Sequence, residues 1–295
     1  MPKDHQTKTL RPNLNKASIP QLVKTLEHEE PWWRQTAQRL LLEKNDKAMI
    51  APLSKLLKET KSPHAKILAA WMLDRQGSLD HQKNRELLFD PHPRVREHGW
   101  RVFESRLEDA DVLTDERNDF ERLVRDEKDA RVRYQLALSI AGVKSRDLSG
   151  VVSFVARMNH DDRWTRLAAL TVEPSRHASM LLAFLLDKWR AQHNENIVRD
   201  LAMTLGAQKA KAHEYNRNTR TLMEARSSTR YAGFAGLAEG LQRRGETLTS
   251  LVREMTDPVH IDSYKKRLET LFAQAGKDVQ DPRRSHQERL DCLRI

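Results

Sequence analysis

Residues 90–98 (DPHPRVREH) and residues 129–137 (DARVRYQLA) carry one pattern, in which an Asp precedes a Val that stands between two Arg. The second Arg belongs to a series of basic residues, here named the ladder residues, that return every 30 to 37 positions: Arg34, Lys66, Arg96, Arg133, Arg166, Arg199 and Arg230. The residue three positions after each ladder residue is Ala or Gly except in one case, Leu136. These residues are Ala37, Ala69, Gly99, Leu136, Ala169, Ala202 and Gly233. A period of this length is typical of stacked helical hairpins, none of which can bury its apolar face alone. The predicted fold class is therefore all-α, a right-handed α-solenoid of seven to eight hairpins.

Each hairpin is expected to hold a first helix, a short turn and a second helix that carries the ladder residue. Proline at the first helical position predicts second helices over Pro31–Lys44, Pro63–Arg75 and Pro91–Leu107. Hydrophobic residues make up 38% of the chain and charged residues 32%, as stacked helices with one solvated face require. We predict a flexible tail over residues 1–13, the solenoid over 14–276 and a charged C-terminal tail over 277–295, with a short helix near Gln287–Leu293.

The formal net charge of +10 is compatible with polyanionic partners, but a solvated surface rich in Lys and Arg is the favoured interpretation. The single cysteine, Cys292, excludes an intramolecular disulfide. The N-terminal residues lack the apolar run of a signal peptide, and no apolar stretch is long enough to span a membrane. A cytoplasmic location is expected from the sequence, and a periplasmic one if the chain is a segment of a larger exported protein.

The two opening stretches resemble the HEAT-repeat family, which commonly places an Asp in the turn between helices and an Arg in the second helix. That resemblance implies that the ladder residues are structural, with Asp90, Asp126 or Glu127, and Asp161 as turn acids. An Arg–carboxylate hydrogen bond is charge-assisted, and Arg can also donate to turn carbonyls. The ladder is thus expected to stabilise the stack rather than to bind a partner.

A narrower resemblance covers about residues 14–240. Residues 31–41 (PWWRQTAQRLL), 69–73 (AAWML), 93–98 (PRVREH) and 131–139 (RVRYQLALS) look like the helical segment of planctomycete membrane-bound dehydrogenase-like, PVC-type haem-binding proteins. In that family the segment joins a propeller to a c-type cytochrome domain. No Cys-x-x-Cys-His motif occurs in this chain, so the resemblance implies a spacer or docking module of a redox assembly and no haem.

The residues predict no catalytic centre, metal site or cofactor. The twelve His are never spaced as helical metal ligands, and one Cys cannot form a zinc finger. The His-Glu pairs at His28 and His213 are too few for a HEAT-type di-iron site. Gly233, Gly236 and Gly240 fall on one face of a helix, which indicates close helix packing rather than a phosphate loop.

The candidate binding residues are Trp32, Arg94, Arg131, Arg163 and Trp164. Arg163 lies three positions before a ladder residue and the others lie two positions before one. Charged and aromatic residues both occur at these positions. Tryptophan beside arginine can anchor a protein partner or stack on bases. Four other tryptophans, Trp33, Trp71, Trp100 and Trp189, are expected in the core.

The sequence thus predicts a non-catalytic scaffold that mediates protein–protein interaction. The alternative is a basic HEAT-like nucleic-acid-binding protein or DNA glycosylase-like enzyme, since such enzymes pair a basic concavity with Trp and an acid. The identity of the partner and the oligomeric state do not follow from the sequence.

Overall fold

The computed structural model describes residues 13–107, 122–143, 149–159, 161–186, 194–208, 210–254 and 261–295. Across these ranges the chain forms helices and turns and no strand, which confirms the all-α prediction. None of the helices in these ranges has the length and apolar character that crossing a bilayer requires. The predicted tail over 1–13, apart from residue 13, and the polar stretch Glu108–Arg117 lie outside the described residues.

The chain divides into two compact units, one ending at Ser105 and one beginning at Arg106. The helices of the first unit are α1 Ile19–Thr25, α2 Pro31–Lys44, α3 Ile50–Glu59, α4 Pro63–Arg75, α5 His81–Leu88 and α6 Pro93–Phe103. The second unit has helical residues 122–126, then α7 Ala130–Ala141, α8 Ser149–Met158, α9 Arg163–Ala169, α10 His177–Leu186, α11 Glu195–Ala207, α12 Ala212–Glu224, α13 Ser227–Gln242, α14 Leu248–Glu254, α15 Ile261–Asp278 and α16 His286–Arg294.

The second helices begin where the sequence supplies a start signal. Pro31 and Pro63 each occupy the first helical turn, where a missing N–H costs no hydrogen bond. The predicted start at Pro91 is wrong, because α6 begins at Pro93. The Asp90 carboxylate accepts a hydrogen bond from the His92 amide at 2.8 Å and so holds the intervening residues in a turn.

In the first unit the hairpin partners α1 and α2, α3 and α4, and α5 and α6 pack against each other. The second helices also contact in succession, α2 with α4 and α4 with α6. One continuous apolar core runs between them, with Leu22, Leu41, Leu53 and Leu73 fully buried. Each hairpin therefore shares its apolar face with a neighbour, as the sequence period requires.

The second unit is organised around the close pair α11 and α13. A Cβ built on Gly236 would lie 2.1 Å from the Arg199 carbonyl oxygen, and one on Gly240 would lie 2.1 Å from the Met203 carbonyl oxygen. Gly206 faces them from α11, where an added Cβ would lie 2.5 Å from the Leu237 carbonyl oxygen. The two backbones thus meet along a glycine seam, and the packing role predicted for Gly236 and Gly240 is confirmed.

The C-terminal residues 277–295 do not form the predicted charged tail. α15 extends to Asp278, and α16 packs against α13. Asp291 on α16 is buried and forms an ion pair with Arg199, whose Nε lies 3.0 Å from Oδ1. The predicted short helix is confirmed at His286–Arg294. Two of the charged residues that suggested a tail attach this segment to the second unit, since Asp291 pairs with Arg199 and Arg284 donates to Ser227.

Candidate functional site

Three ladder residues donate to backbone carbonyls in the turn that precedes their own helix. Arg34 Nη1 lies 2.7 Å from the His28 oxygen, and Arg96 Nη1 lies 2.8 Å from the Asp90 oxygen. Arg133 Nη1 lies 2.7 Å from the Lys128 oxygen. A guanidinium satisfies turn carbonyls that would otherwise lack partners, so these contacts agree with a structural role.

Three other ladder residues form ion pairs with acids farther along the chain. Lys66 Nζ lies 2.6 Å from the Asp90 carboxylate, and Arg166 Nε lies 2.6 Å from that of Asp200. Arg199 pairs with the buried Asp291, as described above. These pairs tie each hairpin to a later one and use the ladder charges within the fold.

The candidate binding residues are divided between the two units. Trp32 and Arg94 belong to the first unit, and Arg131, Arg163 and Trp164 belong to the second. Trp32 is 61% exposed and Trp164 is 64% exposed, so neither indole is packed in a core. Arg163 lies over the Trp164 ring at 5.6 Å, within the range of a cation–π contact. Trp32 and Trp164, which both stand two positions before a ladder residue, are thus both exposed to solvent.

A cluster around Trp71, which we call the Trp71 cluster, contains one predicted binding residue, Arg94, and four residues that the sequence did not indicate as binding residues. It comprises Trp71, Arg94, Glu97, His98 and Arg101. The prediction that Trp71 is a core residue is wrong, since it is 37% exposed on α4. Its Nε1 donates to His98 Nδ1 on α6 at 3.0 Å, which ties the two second helices together at the surface.

Glu97 organises the basic members of the Trp71 cluster. This carboxylate is buried and pairs with both Arg94 and Arg101, the latter at 2.8 Å. The residues are spaced by three and four positions on α6, so all three side chains fall on one helix face. Arg94 and Arg101 therefore pair with one buried carboxylate near His98, and this spacing was the sequence signal for the cluster.

The surroundings of His98 favour its neutral form. Burial lowers the pKa of His98, and the charges of Arg101 and Arg94 lower it further against the opposing effect of Glu97. A neutral imidazole can accept the hydrogen bond from Trp71 at Nδ1, whereas an imidazolium cannot. The Trp71 cluster thus keeps its geometry at neutral pH and loses this bond in acid.

The remaining tryptophans differ in their surroundings. Trp100 is 1% exposed, as predicted, and Trp33 is half-buried with its ring 4.5 Å from that of Trp32 in an edge-to-face contact. Trp189 lies outside the described residues. Trp32 is thus supported on one side by Trp33 and open on the other.

In the second unit the candidate residues stand at the starts of helices that contact each other. Arg131 is exposed in the first turn of α7, and Arg163 and Trp164 begin α9. The Asp129 carboxylate caps α7 by accepting from the Arg131 amide at 2.9 Å, and Asp162 caps α9 in the same way. The starts of α7 and α9 lie close together, because residues beside both of them line one cleft. These lining residues include Glu127, Arg133, Asn159, Asp161 and Asp162.

Within the described residues no group of His, Cys, Asp and Glu side chains is placed to hold a metal ion. Cys292 is buried, and this burial raises the pKa of its thiol to about 11, so the thiolate needed for nucleophilic chemistry does not form at neutral pH.

Comparison of the sequence with protein-family models and with curated proteins gives no match.

Proposed function

We propose that this chain is a HEAT-like α-solenoid that binds a protein partner through the exposed surfaces of its second helices. The hairpin period, the succession of contacts α2, α4 and α6, and the ladder contacts to turn carbonyls support the solenoid. The resemblance to planctomycete redox assemblies makes a docking or spacer role the specific form of this proposal.

The Trp71 cluster carries the proposal. Binding hot spots are enriched in Trp and Arg and are strongest where the side chains are rigid before binding. Here the buried Glu97 pairs with two arginines, and His98 accepts a hydrogen bond from the indole of Trp71. Such a surface loses little side-chain entropy when a partner covers it.

A protein partner fits this cluster better than a nucleic acid does. Glu97 already neutralises part of the charge of Arg94 and Arg101, and a phosphate would have to compete with it. Nucleic-acid affinity depends on the number of phosphates that Lys and Arg neutralise. Shared arginines reduce that number, whereas their apolar stems and the adjacent indole still provide contact area for a protein.

The test is site-specific photo-cross-linking in the cells that produce the chain. A photoreactive amino acid replaces Trp71 in one variant and Lys55 in a control, because Lys55 is exposed on the first helix α3 of the same unit. We expect one defined protein adduct from position 71 and none from position 55. Equal adducts at both positions, or adducts to nucleic acid, would refute the proposal.

Affinity for the cross-linked partner then tests the energetics. Trp71→Ala is expected to weaken binding by more than about tenfold, since hot-spot truncations cost roughly 2 kcal/mol or more. Lys55→Ala should leave the affinity within about twofold, because exposed residues outside an interface contribute little. A salt series with short duplex DNA is the counter-test, and a steep loss of DNA affinity with salt would favour the nucleic-acid alternative.

A further inference from the structure

A cleft of about 270 Å³ lies at the C-terminal end of the second unit, between α13 and α15. Its walls are formed by Met223, Arg230, Tyr231, Arg267, Thr270, Leu271 and Gln274. Positions 267, 270, 271 and 274 are spaced by three and four residues, so they form one continuous face of α15. Met223, near the end of α12, adds a third helix to the walls of the cleft.

One end of the cleft is closed by a buried hydrogen-bond network. The Tyr231 hydroxyl donates to Asp278 at 2.7 Å, and Arg284 Nη2 pairs with the same carboxylate at 2.8 Å. Gln274 Nε2 also donates to Asp278, at 2.9 Å. Asp278 thus has three partners, Tyr231, Gln274 and Arg284, and Glu288 is a second carboxylate that pairs with Arg284.

The cleft differs from the two other clefts beside ladder residues. Lys66 lines one together with Asp90, and Arg133 lines another together with Glu127, Asp161 and Asp162. Beside Arg230 the described lining contains no carboxylate and adds a second guanidinium, Arg267. Two like charges that share a cleft repel each other unless an anion lies between them.

Hydrogen bonding at Arg230 is incomplete, a feature that it shares with Arg133. Its Nη1 reaches the Met223 carbonyl oxygen at 3.3 Å, and its buried Nε has no partner within the described part of the chain. A buried guanidinium donor without an acceptor is costly, because the lost hydration is not replaced. Arg267, which is exposed, has no ion pair with any described residue.

We propose that this cleft binds a phosphate monoester whose phosphate lies between Arg230 and Arg267 and whose apolar part contacts Met223 and Leu271. A phosphate monoester carries close to two negative charges at neutral pH and so balances two guanidinium groups. Arginine also matches phosphate oxygens with two parallel N–H donors. This site is distant in sequence from the Trp71 cluster and does not depend on the proposed function.

Calorimetric titration of the full chain with phenyl phosphate at low salt tests the site. The main variant is Arg267→Gln, since an exposed side chain can be changed without disturbing the core, and the matched control is Lys266→Gln. Both remove one positive charge from α15, but Lys266 does not line the cleft. We expect Arg267→Gln to weaken binding by roughly tenfold or more, the scale of one charged hydrogen bond, and Lys266→Gln to weaken it less than about twofold.

Two further arms define the ligand. Phenyl phosphate should bind more tightly as the pH rises through about 6, where its second proton dissociates. Phenylacetate, with one charge, should bind more weakly than phenyl phosphate. Equal weakening by both variants, equal or tighter binding of phenylacetate, or absence of binding to the unmodified chain would each overturn the proposal.

Discussion

The glycine seam between α11 and α13 allows a quantitative test of the fold. Replacing Gly236 by alanine places a methyl group 2.1 Å from the Arg199 carbonyl oxygen, more than an ångström inside ordinary contact at 3.4–4 Å. The atoms that it meets are backbone atoms of α11, so no rotamer change relieves the overlap and the helices must move apart. Overpacking of this kind costs about 3 kcal/mol at the upper end of its usual range. The higher helix propensity of alanine returns about 1 kcal/mol.

The expected net loss is therefore about 2 kcal/mol in the free energy of unfolding of the second unit. For a unit of this size, that loss lowers the midpoint of thermal unfolding by roughly 4–8 °C. Circular dichroism measures the transition, and labelling of the single buried Cys292 in increasing urea reports the second unit alone.

Gly276→Ala is the matched control for this substitution. Gly276 lies within α15, and a Cβ there meets nothing within 4 Å. The same chemical change should stabilise the chain by up to about 1 kcal/mol, because only helix propensity acts. If Gly236→Ala were as stabilising as Gly276→Ala, the backbone contact between the two helices would be refuted.

Three further predictions concern other parts of the chain. The pKa of His98 is lowered in the folded state, so the unfolded chain binds a proton at His98 at a higher pH than the folded chain does. The stability contributed by neutral His98 is therefore fully present above about pH 6.5 and is lost as the pH falls. A fluorescence titration should show Trp71 changing in the same interval, and His98→Gln should abolish that change. Asp278→Asn should destabilise the second unit by roughly 1–3 kcal/mol, because a partly buried ion pair is broken, whereas Tyr231→Phe should cost less in the same urea titration. At pH 7 Cys292 should react with a thiol reagent far more slowly than a free cysteine, since burial raises the pKa of its thiol to about 11. Fast reaction of Cys292 in the native protein would contradict the packing of the C-terminal helix against the second unit.

Much of the helical organisation could be predicted from the sequence, because its signals are local. Pro31 and Pro63 mark helix starts at the residues where the structure begins them. The spacing of Gly236 and Gly240 is a property of one helix, so the face that they share follows from the 3.6-residue period. The start of α6 was misplaced by two residues, because the turn there depends on the Asp90 carboxylate and not on Pro91 alone.

The candidate site was predicted only in part. The exposure of Trp32 and Trp164 agrees with their placement at a position that tolerates charge in other hairpins. Trp71 was assigned to the core because it lies on an apolar face of its helix, but in the folded chain it is 37% exposed. Its partner His98 is 27 residues away, beyond the reach of any local pattern.

The sequence by itself determined that the elements are helices and showed the spacing of the basic ladder residues. It also determined which residues start helices or permit their close approach, since these properties depend on neighbours within about one helical turn. Tertiary structure alone decided which charges are used internally. Arg199 and Asp291 stand 92 residues apart and form a buried pair that docks the C-terminal helix. Arg230 and Arg267 instead face the same cleft without a described carboxylate between them. The physical reason is that a charge is neutralised by whatever the packing of distant helices places within a few ångströms of it.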